Sequence, residues 1–286
     1  MIINLIKRNL RLYFRDKATV FFSMLGVFII ILLYLTFLGD MMVGYATAEF
    51  SEVPGINVRF MMDSWIMAGV ISVATITTTL GSYGTIVSDN TSKVINDFRV
   101  SPIKRSTIVM AYIASSFIVG VIMSIVSLIF GEIYIVISGG ELMSVLGLIK
   151  TLGVVMVSVM MSSSVIFLII TFIKSNNAFG AVSTVFGSII GFLMGVYIPI
   201  GNLPEGLQSV IKFFPFSHSA VILRQVMMSE AVDLSYMPEQ FILFTGINLK
   251  IGETTLTIPM HILYMLGTAV IFFVLGVLRI NRKRKA

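Results

Sequence analysis

Lys93-Val-Ile-Asn-Asp-Phe-Arg-Val-Ser-Pro-Ile-Lys-Arg-Ser106 places four basic residues between two runs long enough to cross a bilayer. Upstream, nothing between Asp63 and Asp89 is charged; downstream, nothing between Arg105 and Glu132 is. The same alternation continues along the chain. Lys7–Lys17 holds five Lys or Arg, Lys174 stands alone in a short connector, and Arg279–Lys285 holds five more, so fifteen of the twenty fall in four stretches. Between them lie six apolar runs, near residues 18–38, 62–86, 107–130, 147–173, 178–198 and 259–280. About 20 helical residues cover the ~30 Å hydrocarbon core, so each run is long enough to span it. Cytoplasmic loops collect Lys and Arg, which puts the four stretches and both termini inside. The other five cations, Arg59, Lys150, Lys212, Arg224 and Lys250, fall on the opposite side. Of the fourteen acids only Asp16, Asp89 and Asp97 share the basic side.

The expected fold is therefore an all-α membrane protein with six transmembrane helices, forming one transmembrane domain over residues 1–286. Composition agrees: 57% of residues are hydrophobic and 12% charged, far from the soluble norm. The net charge of +6 flanks spans rather than covering a folded face, which argues against a nucleic-acid partner. With no cysteine there is no disulfide, thiolate metal site or Cys nucleophile. His218 and His261 are too few and too far apart in sequence to suggest a metal cluster. Ala46-Thr47-Ala48 fits a cleavage pattern, but the preceding run is longer than a signal-peptide core and ends well before it. An uncleaved first span is expected.

Residues 1–17 form a different element. Asn4, Lys7, Arg8, Arg11 and Arg15 fall within an arc of about 100° on a helical wheel, with Ile2, Ile3, Leu5, Ile6, Leu10, Leu12, Tyr13 and Phe14 opposite. This pattern predicts an amphipathic helix lying on the inner leaflet. Residues 199–258 make the longest outer segment. Leu203, Leu207, Val210, Ile211 and Phe214 follow helical spacing after Pro204, and Pro215 closes the run. Ser217 is then the expected N-cap of a second short helix ending near Met228. Two helices too short to span predict an outer re-entrant hairpin before the last span, viable only where protein covers its backbone. Phe241–Ile258, with Gly246 and Gly252 as breakers, reads as a small exposed hairpin.

Few residues invite chemistry. Thr75, Thr77, Thr78 and Thr79 can bond their own helix, so polarity in the second span does not require a pore. Gly187, Gly191 and Gly195 share one face of the fifth span, a spacing that admits close approach by a helix of the same copy or of a second one. Glu132 is an intramembrane charge if the third span continues past it, and lies among headgroups if that span ends near Phe130. His218 lies between two serines without a carboxylate orienter in the local motif, so no catalytic residue is assigned. The nineteen methionines suit adaptable apolar surfaces. The chain has no G-x-x-x-x-G-K-[ST] cradle for ATP phosphates.

The loop over residues 87–106, with Val100, Ser101 and Pro102 at its turn, resembles that of permease subunits of the ABC type-2 exporter family. Tyr197-Ile-Pro199…Leu203-Pro204, Phe214-Pro-Phe-Ser-His-Ser-Ala220 and Leu223-Arg224 resemble the same family's outer hairpin. The resemblance implies that Asp97, Phe98, Arg99, Val100, Ser101 and Pro102 form a coupling helix seated on a separate ATP-binding cassette subunit. ATP and Mg would bind in that partner and no cofactor in this chain, which would not be an enzyme itself. It further implies a multi-pass protein of the cell membrane and a second permease copy or paralogue, with the glycine face near it. The expected function is export of a hydrophobic or amphipathic small molecule, such as a drug, antibiotic or lipid-like compound. A lipid-linked glycan is the alternative cargo, disfavoured by the single Trp. An ATP-independent secondary transporter or channel is the alternative class, disfavoured by the lack of midplane charges and of an internal repeat.

The charge split fixes a topology test. Reporters inserted near Asn96 or fused after Ala286 are expected to be cytoplasmic and one near Gly246 external; a cytoplasmic signal at Gly246 overturns the six-span reading.

Overall fold

The computed structural model describes residues 1–50 and 56–282, apart from the side chains of Glu49, Arg99, Asn281 and Arg282. Helix α1 (Ile2–Arg15) packs on a later span through its buried Asn9 and Tyr13. Asp16 then breaks the helix and caps α2 (Lys17–Ser23). Its carboxylate accepts from the Thr19 amide at 3.1 Å and the Thr19 hydroxyl at 2.7 Å. The Thr19 hydroxyl, then its amide, hold this carboxyl below the usual range. The first membrane-length run is α3 (Leu25–Leu33), a π-helical turn at Tyr34–Leu38 and α4 (Gly39–Phe50). By length and hydropathy the span is Leu25–Ala48 rather than 18–38. The offset has a polar cause: Tyr13 and Ser23 hydroxyls lie 2.6 Å apart, tying α2 to α1.

α5 (Val58–Thr91) is the axis of the molecule. Its most apolar window is wholly buried, and every other spanning run except the last packs on it. Small residues permit this. A Cβ on Gly81 would sit 2.6 Å from the Ser23 Cβ, so only glycine admits α2 there. The threonines behave as expected: Thr75, Thr77, Thr78 and Thr79 donate to the carbonyls of Ser72, Val73, Ala74 and Thr75.

α6 (Val94–Val100) occupies the basic loop, which is shorter than 87–106 because α5 runs on to Thr91 and α7 (Arg105–Ile137) starts at Arg105. α8 (Val145–Ile170) and α9 (Asn176–Leu193) complete the fourth and fifth spans. α10 (Glu205–Phe213) and α11 (Pro215–Met228) form the hairpin, α12 (Glu239–Thr245) follows, and α13 (Ile258–Arg282) is the last span. Strands β1 (Lys250–Ile251) and β2 (Thr254–Thr255) pair antiparallel around Gly252, at φ 59°. The expected hairpin over 241–258 is thus confined to 250–255, because Glu239–Thr245 is helical.

Two boundaries at the hairpin need correcting. Pro215 opens α11 at its first turn instead of closing α10, since a missing N–H costs nothing there. Ser217 is consequently inside α11, and its hydroxyl donates to Leu193 O at 2.9 Å. α9 ends at Leu193, not 198, so Gly195 lies beyond the helix at φ 62°.

That early end leaves carbonyls at membrane depth, and α11 supplies their donors. Arg224, fully buried, donates to Met194 O at 3.0 Å, Gly195 O at 2.7 Å and Gly246 O at 3.0 Å. Its guanidinium lies 4.6 Å over the Trp65 ring, while the Trp65 indole N–H bonds Thr245 O at 3.0 Å. A cation at a helix C-terminus is also favoured by the helix dipole. Arg224→Met keeps volume but strands three carbonyls. We expect a loss of about 3 kcal/mol, from ~1–3 per unpaired acceptor offset by removing a desolvated charge. Thermal unfolding in lipid nanodiscs checks this, and an unchanged midpoint would contradict it.

Candidate coupling interface and lateral groove

The basic face is organised around one ion pair. Arg8 on α1 meets Asp89 on α5 in a two-pronged contact, Nη1–Oδ2 at 2.6 Å and Nη2–Oδ1 at 2.8 Å. The Tyr112 hydroxyl on α7 donates to the same Oδ2. Asn9 Nδ2 reaches Ser115 Oγ on α7 at 3.3 Å. The hydrogen bond to Asp89 raises the Arg8 guanidinium above its ordinary value, so the cation is secure. Three helices therefore share one buried carboxylate.

The loop between α5 and α7 attaches to this cluster. Lys93 turns the chain at φ 65°, and α6 ends where Ser101 Oγ bonds Phe98 O at 2.7 Å. Phe98 is half-buried beneath the Arg8 guanidinium, 5.2 Å from its ring centre. Asp97, Val100 and Pro102 are exposed, Val100 at 87%. Part of the Phe98 ring is thus covered by α1. Ser101 is half-buried, and the side chain of Arg99 lies outside the described residues.

Beside the cluster a groove of about 1140 Å³ runs between α1–α3, α5 and α9. Apolar side chains share its walls with Thr77, Gly81, Gly84, Ser183, Thr184 and Ser188. Gly187 lines it with open space where a Cβ would point. Gly191 does not join that face: the Tyr197 ring folds back to within van der Waals contact of it. With Gly195 outside the helix, the three glycines expected on one face have three different surroundings.

Glu132 lies inside α7, which continues five residues past it to Ile137. It is half-buried and accepts the Met143 amide at 2.9 Å, with Glu230 nearby binding the Ser144 amide at 2.8 Å and hydroxyl at 3.0 Å. Its carboxylate ties the loop that follows α7. On the same side Arg59 joins Asp63 (3.1 Å), Asp40 (3.1 Å) and the Tyr134 hydroxyl (2.8 Å), and Tyr34 donates to Asp63 at 2.9 Å. Among the described residues no group of three or more His, Cys, Asp or Glu is placed to hold a metal ion.

Sequence reasoning missed Arg8, Asp89 and Tyr112 as one unit; the only signal was an acid placed among basic flanks. Arg8→Gln removes one partner of a pair in which Arg8 stays 29% exposed and Asp89 8%. A loss of about 1–3 kcal/mol is expected, below the ~3–5 of a fully buried pair. Asp89→Asn should match it, and the double substitution should cost less than the sum. Strict additivity in a double-mutant cycle would contradict direct coupling.

Residues 43–278 match the family described as ABC-2 family transporter protein, a region running from the first span to the end of the last. No curated protein matches the chain. A match over most of the chain, six apolar helices and a single transmembrane bundle agree. The chain belongs to the ABC-2 transporter family, whose members are membrane subunits of ATP-binding cassette transporters.

Proposed function

We propose that this permease exports a hydrophobic or amphipathic small molecule, driven by ATP hydrolysed in a separate subunit docked on α6. The groove beside α5 and α9 carries this reading. It pairs apolar walls with scattered hydroxyls and ends at the ion-pair cluster that holds α6. Asp97, Val100, Ser101 and Pro102 offer the docking edge, and Phe98 anchors it. A nucleotide-driven push on α6 reaches α1 through Phe98 and Arg8, and α5 through Asp89, so both groove walls move together. A second copy covers the exposed face of α9, enclosing the path between two grooves.

The test is reconstitution with a nucleotide-binding subunit encoded beside this chain. Hydrophobic ligands should stimulate its ATPase activity, and ATP should drive their movement into inverted vesicles. Val100→Asp and Pro102→Ala should insert normally yet lower co-purification, whereas Phe98→Ala should keep docking and lose at least half of ligand stimulation. Wild-type behaviour of all three reduces the loop to a basic connector. Because the chain has no cysteine, Gly187→Cys introduces its only thiol. Cross-linked dimers are expected from it, and their absence overturns the α9 contact.

A further inference from the structure

His218 on α11 and His261, one turn into α13, are 1% and 0% exposed, and their Nδ1 atoms lie 2.7 Å apart. Each ring also uses its other nitrogen. His218 Nε2 faces Lys212 O at 3.2 Å, and His261 Nε2 faces Asn248 Oδ1 at 3.2 Å. A carbonyl oxygen only accepts, so His218 donates from Nε2. Asn248 Oδ1 already accepts the Leu249 amide at 2.8 Å, which fixes the orientation of the side-chain amide. Turning it over would aim an NH2 group at that N–H. His261 must therefore donate from Nε2 as well.

Two neutral rings carry two N–H groups, and both are now committed. What remains is a pair of bare Nδ1 lone pairs facing each other at hydrogen-bond distance, a repulsive arrangement. One additional proton turns that repulsion into a third hydrogen bond. We propose that His218 and His261 form a one-proton site, in which a single proton shared by the two Nδ1 atoms staples the re-entrant hairpin to the last span.

The surroundings define the charge balance. Burial opposes a cation here, and among the described residues neither ring has a carboxylate partner. The Tyr264 ring stacks on His218 with centres 4.2 Å apart, and its hydroxyl bonds Phe213 O at 2.6 Å. That aromatic face favours the cation, as do the two carbonyl-type acceptors. From α10 the nearest ionisable group is Lys212. On α11 itself Arg224 is turned to the carbonyls of Met194, Gly195 and Gly246. Beyond Asn248, Lys250 pairs with Glu239 at 3.2 Å. From α5 and α8 the Ser72 and Ser158 hydroxyls bond Ser219, next to His218 in the chain. The sign follows from the hydrogen bond: the staple is present with the proton bound and is lost as pH rises and the proton leaves. Protonating both Nδ1 atoms would break it again.

The chain contains only these two histidines, so the protons can be counted. The wild-type chain, purified without a histidine tag and labelled with 15N-histidine, is titrated in lipid nanodiscs from about pH 8 to about pH 5 by solid-state NMR. The expected result is a change from two to three protonated ring nitrogens, with both rings shifting together. Two protonated nitrogens throughout, or rings that titrate separately, overturn the site. Asn248→Leu removes the acceptor that forces the count, so this variant should remain at two. A third proton there would overturn the argument equally. Neither measurement involves an ATPase subunit or a transported ligand, so failure here is separate from failure of the transport reading.

Discussion

A helix surrounded by other helices has no lipid face, and α5 is in that position along its membrane-embedded length. Its sequence cannot be amphipathic in the usual sense. It needs instead small residues where neighbours cross and hydroxyls that satisfy themselves. Gly81 admits α2, and four threonines return their protons to their own helix. Without a hydrophobic driving force between helices in lipid, such close packing is what holds a bundle together. The remaining spans then divide labour around α5. α7 and α8 flank it, α13 lies behind α8, and α9 touches the bundle along a narrow strip.

The narrow strip has a consequence at the far end of α9. Eighteen helical residues rise about 27 Å, so the helix stops short of the full hydrocarbon thickness. Its last carbonyls must find donors within the protein, because hydrocarbon offers none. α11 provides them from two positions, Ser217 and Arg224. Arginine suits the task better than lysine: its planar fork serves three carbonyls at once and still stacks on Trp65. The re-entrant helix therefore completes a span that is too short on its own. This explains why nearly all of α11 is buried while α10 keeps Leu207, Val210 and Phe213 exposed.

Much of this was legible from residue order. Basic and apolar segments alternate strongly enough to give six spans, and the wheel of residues 2–15 gives α1. Two short helices after Pro199 follow from spacing, although the role of Pro215 at their junction does not. What escaped were features fixed by distant partners. Arg8 and Asp89 are 81 residues apart, and nothing local distinguishes Arg8 from Lys7 or Arg11. Tyr13 looked like one more apolar-face residue, yet its hydroxyl holds Ser23 and delays the first span. Gly195 matched a four-residue repeat, but a repeat carries no information about where a helix ends. The histidines were dismissed on sequence distance, which measures nothing once α11 and α13 are side by side.

The Arg8 cluster ties a short loop to a large bundle. α6 has seven residues and few contacts of its own, so in isolation it would yield to a push without moving anything. Phe98 changes that by lying under a guanidinium already held by a carboxylate with two strong bonds. Sliding α6 away from α1 would uncover Phe98 and remove the apolar cover from a charge-assisted pair whose acid is 92% covered. Tyr112 extends the same carboxylate to α7, so the helices on both sides of the loop are tied to one acid. The groove is bounded by α1 and α5 at this end, so the cluster that holds α6 also fixes one end of the groove, while α9 is tied to α5 along its length and to α11 at its C-terminal end.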